Sequence, residues 1–180
     1  AAADGVGDAI GAVRSGRERL APAPAYTTEV ISTRTLAERS WAVEEAANLL
    51  RRGEIVALPT ETVYGLAADA RNAEAVAKIF EAKERPHFDP LIVHLPDVDW
   101  LDRCTEVPPN DRETVRLLAD AFWPGPLTLV LPKAPTIPDL VPAGLTTVAV
   151  RVSAPLVFSE TIRRFDRPPA GPRPKRARRA

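Results

Sequence analysis

Short apolar runs alternate with amphipathic segments from residue 40 onwards, and this order restricts the architectures open to the chain. The runs have the length and composition of buried strands. The intervening segments carry apolar residues at three- and four-residue steps, which is typical of helices with one buried face. The predicted strands are Thr28–Ser32, Glu54–Leu58, Leu91–Leu95, Leu127–Leu131 and Thr146–Val152. The predicted helices run from Ser40 to just before Gly53, over Ala73–Lys83 and over Asp111–Phe122. Strands interleaved with helices predict an α/β sheet.

Polar groups are concentrated in the stretch from Ile55 to Leu66, beside a predicted strand. We expect the strand to break at Pro59 and the backbone to turn away at Gly65. Between these points lie hydroxyl, carboxylate and phenol groups, from Thr60, Glu61, Thr62 and Tyr64. Open α/β sheets bind ligands at strand ends, which favours a binding site here. The alternative is structural, with the threonines capping a turn and the phenol in the core.

Two cations, Lys83 and Arg85, follow the second predicted helix. On a continuing helix they would diverge, but Pro86 favours an extended exit that lets both face one ligand. A planar guanidinium beside a mobile ammonium suits the phosphates of a nucleoside triphosphate. A solvated surface pair is the alternative interpretation.

The strand Thr146–Val152 places Thr147, Ala149 and Arg151 on one face by alternation. An arginine at the end of a mostly buried strand needs an anionic partner, either a structural carboxylate or a substrate carboxylate, and both remain open. His94 closes the strand Leu91–Leu95, where it is either a hydrogen-bonded core residue or a ligand contact.

Composition argues against several classes of protein. The 24 basic and 24 acidic residues balance, which argues against a general polyanion-binding surface. The single cysteine, Cys104, excludes an internal disulfide and a multi-cysteine metal site, and we predict an idle thiol in a reducing compartment. No apolar run approaches the roughly 20 residues that cross a bilayer. We therefore predict a soluble, cytoplasmic protein without a membrane partner.

The two ends differ in composition from the middle. We predict a disordered leader over residues 1–37, with an organelle transit peptide as the alternative, and one domain over residues 38–166. Residues 167–180 are basic and rich in proline, so we predict a disordered tail that cannot bury a strand. Such a tail could bind tRNA or double-stranded RNA through its phosphates.

Five motifs, in this order, resemble those of the YrdC-like family of threonylcarbamoyl-AMP synthases. They are the Ile55–Leu66 stretch, Lys83–Pro86, Pro90–His94, Trp123–Thr128 and Thr147–Arg151. The similarity runs from about Ala46 to Arg164 and implies a twisted mixed α/β sheet with flanking helices. The Ser-x-Asn segment that follows in the family is lacking here. We therefore expect a fold missing its C-terminal part, through a shifted reading frame or a fragment end.

The resemblance implies a reaction of L-threonine, bicarbonate and ATP that yields threonylcarbamoyl-AMP and pyrophosphate. A tRNA-modifying threonylcarbamoyl transferase would use the product. The implied threonine contacts are Thr62, His94 and Arg151. The implied ATP contacts are Arg85, Thr147 and, most weakly, Asp89, which stands where the family often has asparagine.

Lys83 and Arg85 are the implied catalytic pair, which would offset charge on the departing pyrophosphate together with Mg²⁺. Glu61 holds such a metal indirectly, stabilises the turn, or is a solvated carboxylate. The alternatives to an active synthase are an inactive fragment and an RNA-binding YrdC-like module. Carbamoyl transfer, as in hydrogenase maturation proteins, predicts zinc-finger and acylphosphatase-like regions that we do not recognise in this sequence.

Overall fold

The computed structural model describes residues 28–61, 64–83 and 89–172. The compact unit that begins at Ile31 contains every helix and strand given below. Residues 28–33 form neither helix nor strand, so the strand predicted over Thr28–Ser32 is wrong. The predicted transit peptide lies outside the described residues.

This unit is a six-stranded sheet with helices on its two faces. The helices are α1 (Leu36–Arg51), α2 (Ala73–Ala82), α3 (Arg112–Phe122) and α4 (Leu156–Phe165). The strands are β1 (Val56–Pro59), β2 (Tyr64–Asp69), β3 (Leu91–Leu95), β4 (Leu129–Pro132), β5 (Thr147–Val152) and β6 (Pro169–Pro172). Their order is β1-β2-β6-β3-β5-β4. Strands β3 and β5 run parallel and the other neighbours antiparallel, which confirms the predicted mixed α/β sheet. No helix of the described residues is long and apolar enough to cross a bilayer.

Helix α1 begins earlier than its apolar pattern predicts. The Thr35 hydroxyl accepts from the backbone N–H of Glu38 at 3.2 Å, and the Glu38 carboxylate accepts from the backbone N–H of Thr35 at 2.9 Å. This reciprocal capping box starts the helix at Leu36, before its first buried residue at Ala42, so the predicted start at Ser40 and the leader boundary at residue 37 are wrong. The predicted end is confirmed, because Gly53 follows the C-cap with a φ of 75°.

Strand β2 was not predicted from the sequence. It pairs antiparallel with β1, with Gly65 opposite Leu58 and Tyr64 opposite Pro59. The predicted break at Pro59 is confirmed, because β1 ends at that residue. The predicted turn at Gly65 is wrong, because Gly65 lies within β2. Pro59 ends a strand at the sheet edge, where its missing N–H is tolerated. The Tyr64 side chain is 71% exposed, so the core alternative for it is also wrong.

Strand β6 contradicts the prediction that residues 167–180 form a disordered tail. It lies between β2 and β3, with Ala170 opposite Ala68 and Gly171 opposite Ile92, and all four of its residues are buried. This proline-rich segment has little strand propensity of its own. It forms a strand because it pairs with β2 on one side and β3 on the other. The domain therefore extends at least to Pro172 rather than ending at residue 166. Residues 173–180, with the predicted RNA-binding role, lie outside the described residues.

Gly171 lies where β6 approaches the backbone of β2. A Cβ at this position would lie 2.8 Å from the carbonyl oxygen of Leu66. Because that oxygen belongs to a paired strand, it cannot rotate away. We expect Gly171→Ala to lower the free energy of unfolding by about 1–3 kcal/mol in urea denaturation.

Gly65→Ala is a matched control for this prediction, because Gly65 also lies in a strand. Its added Cβ would lie 3.2 Å from the methyl group of Thr60, the end of a side chain that can rotate. We expect a change of less than about 1 kcal/mol. Equal losses in the two variants would mean that the close approach to Leu66 does not constrain the fold.

Two hydrophobic clusters cover different parts of the sheet. Helices α1 and α4 pack over β1, β2 and β3, whereas α2 contributes Val76, Ile79 and Phe80 to the cluster on the other face. Strand β5 alternates as predicted, with Val148, Val150 and Val152 buried in that second cluster. Its opposite face is only half-buried. We call this surface, formed by Thr147, Ala149 and Arg151 of β5 and Val130 of β4, the open face.

The buried side of α3 differs from the prediction. Val115 and Ala119 are buried, but Leu117 is 64% exposed and Ala121 is also exposed. The apolar pattern of this helix predicts that Leu117 and Ala121 face inward together with Val115 and Leu118. This is wrong for Leu117 and Ala121, because apolar residues lie on more than one side of the helix and periodicity does not select between the sides.

The Cys104 thiol is free and buried, as predicted. Burial raises the pKa of this thiol to about 11, so it remains protonated at neutral pH and is a poor nucleophile.

Candidate functional site

The open face ends in Arg151, whose side chain is only 15% exposed. Its Nε and Nη2 donate to the hydroxyl of Thr128 at 2.9 and 2.7 Å. Its Nη1 lies 3.6 Å from Oε2 of Glu61. The sequence left open whether Arg151 pairs with a structural carboxylate or a substrate carboxylate. The structure pairs it with a structural carboxylate, that of Glu61.

Thr128 reaches this position through the turn that precedes β4. The indole N–H of Trp123 donates to the carbonyl oxygen of Leu127 at 2.9 Å, and Trp123 packs against the core. This bond and this packing fix the turn within the Trp123–Thr128 motif. The role of Thr128 itself was not predicted, because its partner lies 23 residues away and no local pattern marks the pair.

Glu61 connects the end of β1 to the end of β5. Besides facing Arg151, its Oε1 accepts from the backbone N–H of Ala154 at 3.2 Å, and the side chain is 18% exposed. These are the contacts of a structural carboxylate, but it stabilises β5 rather than its own turn.

His94 lies beside Arg151, since the two residues are register partners on the parallel strands β3 and β5. Its Nδ1 lies 2.8 Å from the Ser153 hydroxyl, and its ring packs at 4.8 Å against Phe158. Burial first, and then the positive charge of Arg151, lower the pKa of His94 to about 3. The imidazole is therefore neutral at physiological pH. His94 is a hydrogen-bonded core residue, and its contact with a ligand stays a prediction.

Thr147 and Arg151 occupy the same face of β5, four residues apart, as the alternation predicted. At about 3.3 Å per residue, their backbones are roughly 13 Å apart. Half-buried Ala149 and 65% exposed Val130 lie between them. This length suits an extended ligand whose carboxylate lies at Arg151 and whose opposite end reaches Thr147.

The remaining predicted site residues are Thr62, Lys83, Arg85 and Asp89. Thr62 and Arg85 lie outside the described residues. Lys83 is an exposed residue at the C-terminal end of α2, and Asp89 is half-buried two residues before β3. Convergence of these four on one cavity with Arg151 stays a prediction.

A magnesium ion held by the protein does not fit the described part of this site. Those ranges contain no group of three or more side chains that could hold a metal ion. The carboxylate beside Arg151 is Glu61, which the guanidinium and a backbone N–H already engage. We therefore assign no step to a metal held by these residues.

The family model Sua5_yciO_yrdC, described as "Telomere recombination", matches residues 48–172. The chain belongs to this family. The finding confirms the resemblance derived from the five motifs. Two curated relatives of this Sua5/YrdC family member are named threonylcarbamoyl-AMP synthase. That of Pyrococcus abyssi is 45% identical over 145 residues, and that of Bacillus subtilis is 47% identical over 131 residues.

These matches cover 81% and 72% of this chain, but 42% and 37% of the two relatives. The Sua5/YrdC chain thus spans about two fifths of their length. A crystal structure of Pyrococcus abyssi Sua5 complexed with L-threonine superimposes with a TM-score of 0.70 at 46% identity, covering 73% of this chain and 38% of that one. Escherichia coli YciO, at 18% identity and a TM-score of 0.63, shares the fold. Full-length HypF does so at 22% identity and a TM-score of 0.61.

Proposed function

We propose that this chain carries the site of a threonylcarbamoyl-AMP synthase, which joins L-threonine, bicarbonate and ATP into threonylcarbamoyl-AMP and pyrophosphate. The observation that carries the proposal is the guanidinium of Arg151, held by Thr128 and Glu61 on the open face of β5. The 45% identity to a protein of that name supports it. The product would pass in the cytoplasm to a threonylcarbamoyl transferase that modifies tRNA.

Arg151 would bind the α-carboxylate of L-threonine through charge-assisted hydrogen bonds. The solved relative with L-threonine supports this choice of ligand. Neutral His94 would lie beside the amino group without repelling it, which a charged imidazole would do. Thr62 would complete the threonine site.

In the proposed reaction, the threonine amine adds to the carbon of bicarbonate and water leaves, which gives a carbamate. A carbamate oxygen then attacks the α-phosphorus of ATP. The bond from that phosphorus to the bridging oxygen breaks, and the electron pair leaves with pyrophosphate. Arg85, Thr147 and Asp89 would hold the nucleotide, and Lys83 would join Arg85 in offsetting charge on the leaving group. Positioning and charge stabilisation carry such a step.

A pyrophosphate-release assay tests the proposal. It would compare the 180-residue chain with a version extended by the Ser-x-Asn segment that the family resemblance implies. We expect release from the extended version that requires ATP, bicarbonate and L-threonine together. Replacing L-threonine by L-serine, which lacks the methyl group, provides the substrate control. Release that is independent of L-threonine, or no release by a folded extended protein, would contradict the proposal.

A further inference from the structure

We infer that Glu61 is a positioning residue, which holds the guanidinium of Arg151 in the orientation that a carboxylate ligand requires. The inference rests on the proposed threonine site for its ligand, but the orientation of Arg151 can be measured without one. Glu61 itself need not touch the ligand.

The contacts of Arg151 lie on different edges of its guanidinium plane. Thr128 receives the Nε edge, through Nε and Nη2, while Glu61 faces Nη1. A single partner would leave the guanidinium of Arg151 free to rotate about that contact, whereas contacts with both Thr128 and Glu61 restrict its orientation. A guanidinium carries five N–H donors. Within the described part of the chain, the two hydrogen bonds to Thr128 leave one N–H on Nη2 and both N–H groups on Nη1. One N–H from each terminal nitrogen can then grip a carboxylate end-on.

Glu61 is itself held in place by the chain that follows β5. Its Oε1 accepts the backbone N–H of Ala154, three residues beyond Arg151. The same carboxylate therefore contacts both the backbone just after β5 and the Arg151 side chain of β5. Its 3.6 Å separation from Nη1 is longer than a normal hydrogen bond, so charge attraction provides the link. Since both side chains are more than four-fifths buried, solvent screens this attraction weakly.

Two effects of Glu61 on an anionic ligand oppose each other. Its negative charge reduces the attraction of Arg151 for a carboxylate, whereas its grip on the guanidinium improves the geometry. Loss of orientation at a bidentate site costs about 10–100-fold. The positioning role therefore predicts weaker binding when the charge is removed. A purely electrostatic role predicts tighter binding, so the sign of the change separates the two.

The test uses Glu61→Gln, which keeps a side-chain oxygen for Ala154 but removes the charge that faces Arg151. The side-chain Nε–H signal of Arg151 would be followed by NMR in the ¹⁵N-labelled, ligand-free 180-residue chain and assigned with Arg151→Lys. We expect one sharp, slowly exchanging signal in the wild type, and a broadened, faster-exchanging signal in the variant. Calorimetry should show L-threonine binding weakened about 10–100-fold.

Glu54→Gln provides the matched control. Glu54 also pairs with a cation, Lys78, at 3.0 Å, but on an exposed surface. The Glu54→Gln substitution should leave both the Arg151 Nε–H signal and the affinity for L-threonine unchanged. Glu61→Asp provides a second variant if Glu61→Gln fails to fold. Because aspartate retains the charge but withdraws it by one methylene, it should also loosen Arg151.

The outcomes separate this inference from the proposed function. An unchanged Arg151 signal in folded Glu61→Gln, or tighter L-threonine binding by that variant, would overturn the positioning role while leaving the synthase proposal intact. A loosened Arg151 signal in a chain whose wild type fails to bind L-threonine would support the positioning role and count against the proposed ligand.

Discussion

Replacing Arg151 by alanine is expected to weaken L-threonine binding by at least about 100-fold. The substitution removes both N–H groups that would grip the carboxylate, and each charge-assisted hydrogen bond contributes about 1.5–3 kcal/mol. It also leaves Glu61 and Thr128 without their arginine partner, so the polar end of β5 loses its organisation. Isothermal titration calorimetry of wild type and variant would measure the effect.

Arg151→Lys distinguishes charge from geometry at this position. Lysine retains the positive charge but cannot bridge a carboxylate with two parallel donors or span from Thr128 to Glu61. We expect binding between that of the wild type and that of Arg151→Ala. Arg116→Ala is the control, because Arg116 is 81% exposed and lies in α3. Binding by Arg151→Ala within about threefold of the wild type would contradict the assigned role.

The second large effect is a loss of stability in mild acid that depends on His94. In the folded protein the pKa of His94 is lowered to about 3, first by burial and then by the charge of Arg151. In the unfolded chain its pKa returns to about 6.5. Between these values the unfolded state binds the additional proton. The stabilising contribution is therefore fully present above pH 6.5 and is lost as the pH falls towards 3.

This linkage predicts that the free energy of unfolding falls by about 2 kcal/mol between pH 7 and pH 5 because of His94 alone. Urea denaturation at half-unit pH intervals would measure it. His94→Asn retains a hydrogen-bonding group for Ser153 but cannot take up the proton, so it should be less stable at pH 7 and should show a flatter pH dependence.

His87→Asn is the control for that experiment, since His87 is the other of the two histidines in the chain. The part of the slope that His94 causes persists in this variant. An equal slope in wild type and His94→Asn would mean that the imidazole gains its proton in the folded state, and that the buried, neutral description of His94 is wrong.

The site was predictable where one strand carries several of its residues. Alternation along β5 placed Thr147 and Arg151 on the same face, and the structure confirms it. The environment of His94 was left open between core and ligand, because a single strand does not reveal what packs against it. The sequence left undecided which carboxylate pairs with Arg151 for the same reason. Glu61 and Thr128 come from other elements, and only the register of the sheet brings them together.

The sequence by itself determined the local elements in which the hydrophobic period and the length of the segment both fit only one kind of secondary structure. Strand β3 spans the predicted residues, Leu91–Leu95, because a continuous apolar run of that length is stable only when buried. Helix α2 follows its predicted bounds to within one residue, since its apolar stripe and its Asn72 cap agree.

Only the tertiary structure decided the strands that have no such signal. Strand β2 follows β1 through a short connection that the threonine-rich sequence does not mark as a hairpin, and β6 consists of a proline-bounded segment of four residues. Strand β2 pairs with β1, which is near in sequence, and with β6, which is distant, whereas both partners of β6 are distant in sequence. Strand β6 has hydrogen-bond partners and burial only in its place between β2 and β3 of the assembled sheet.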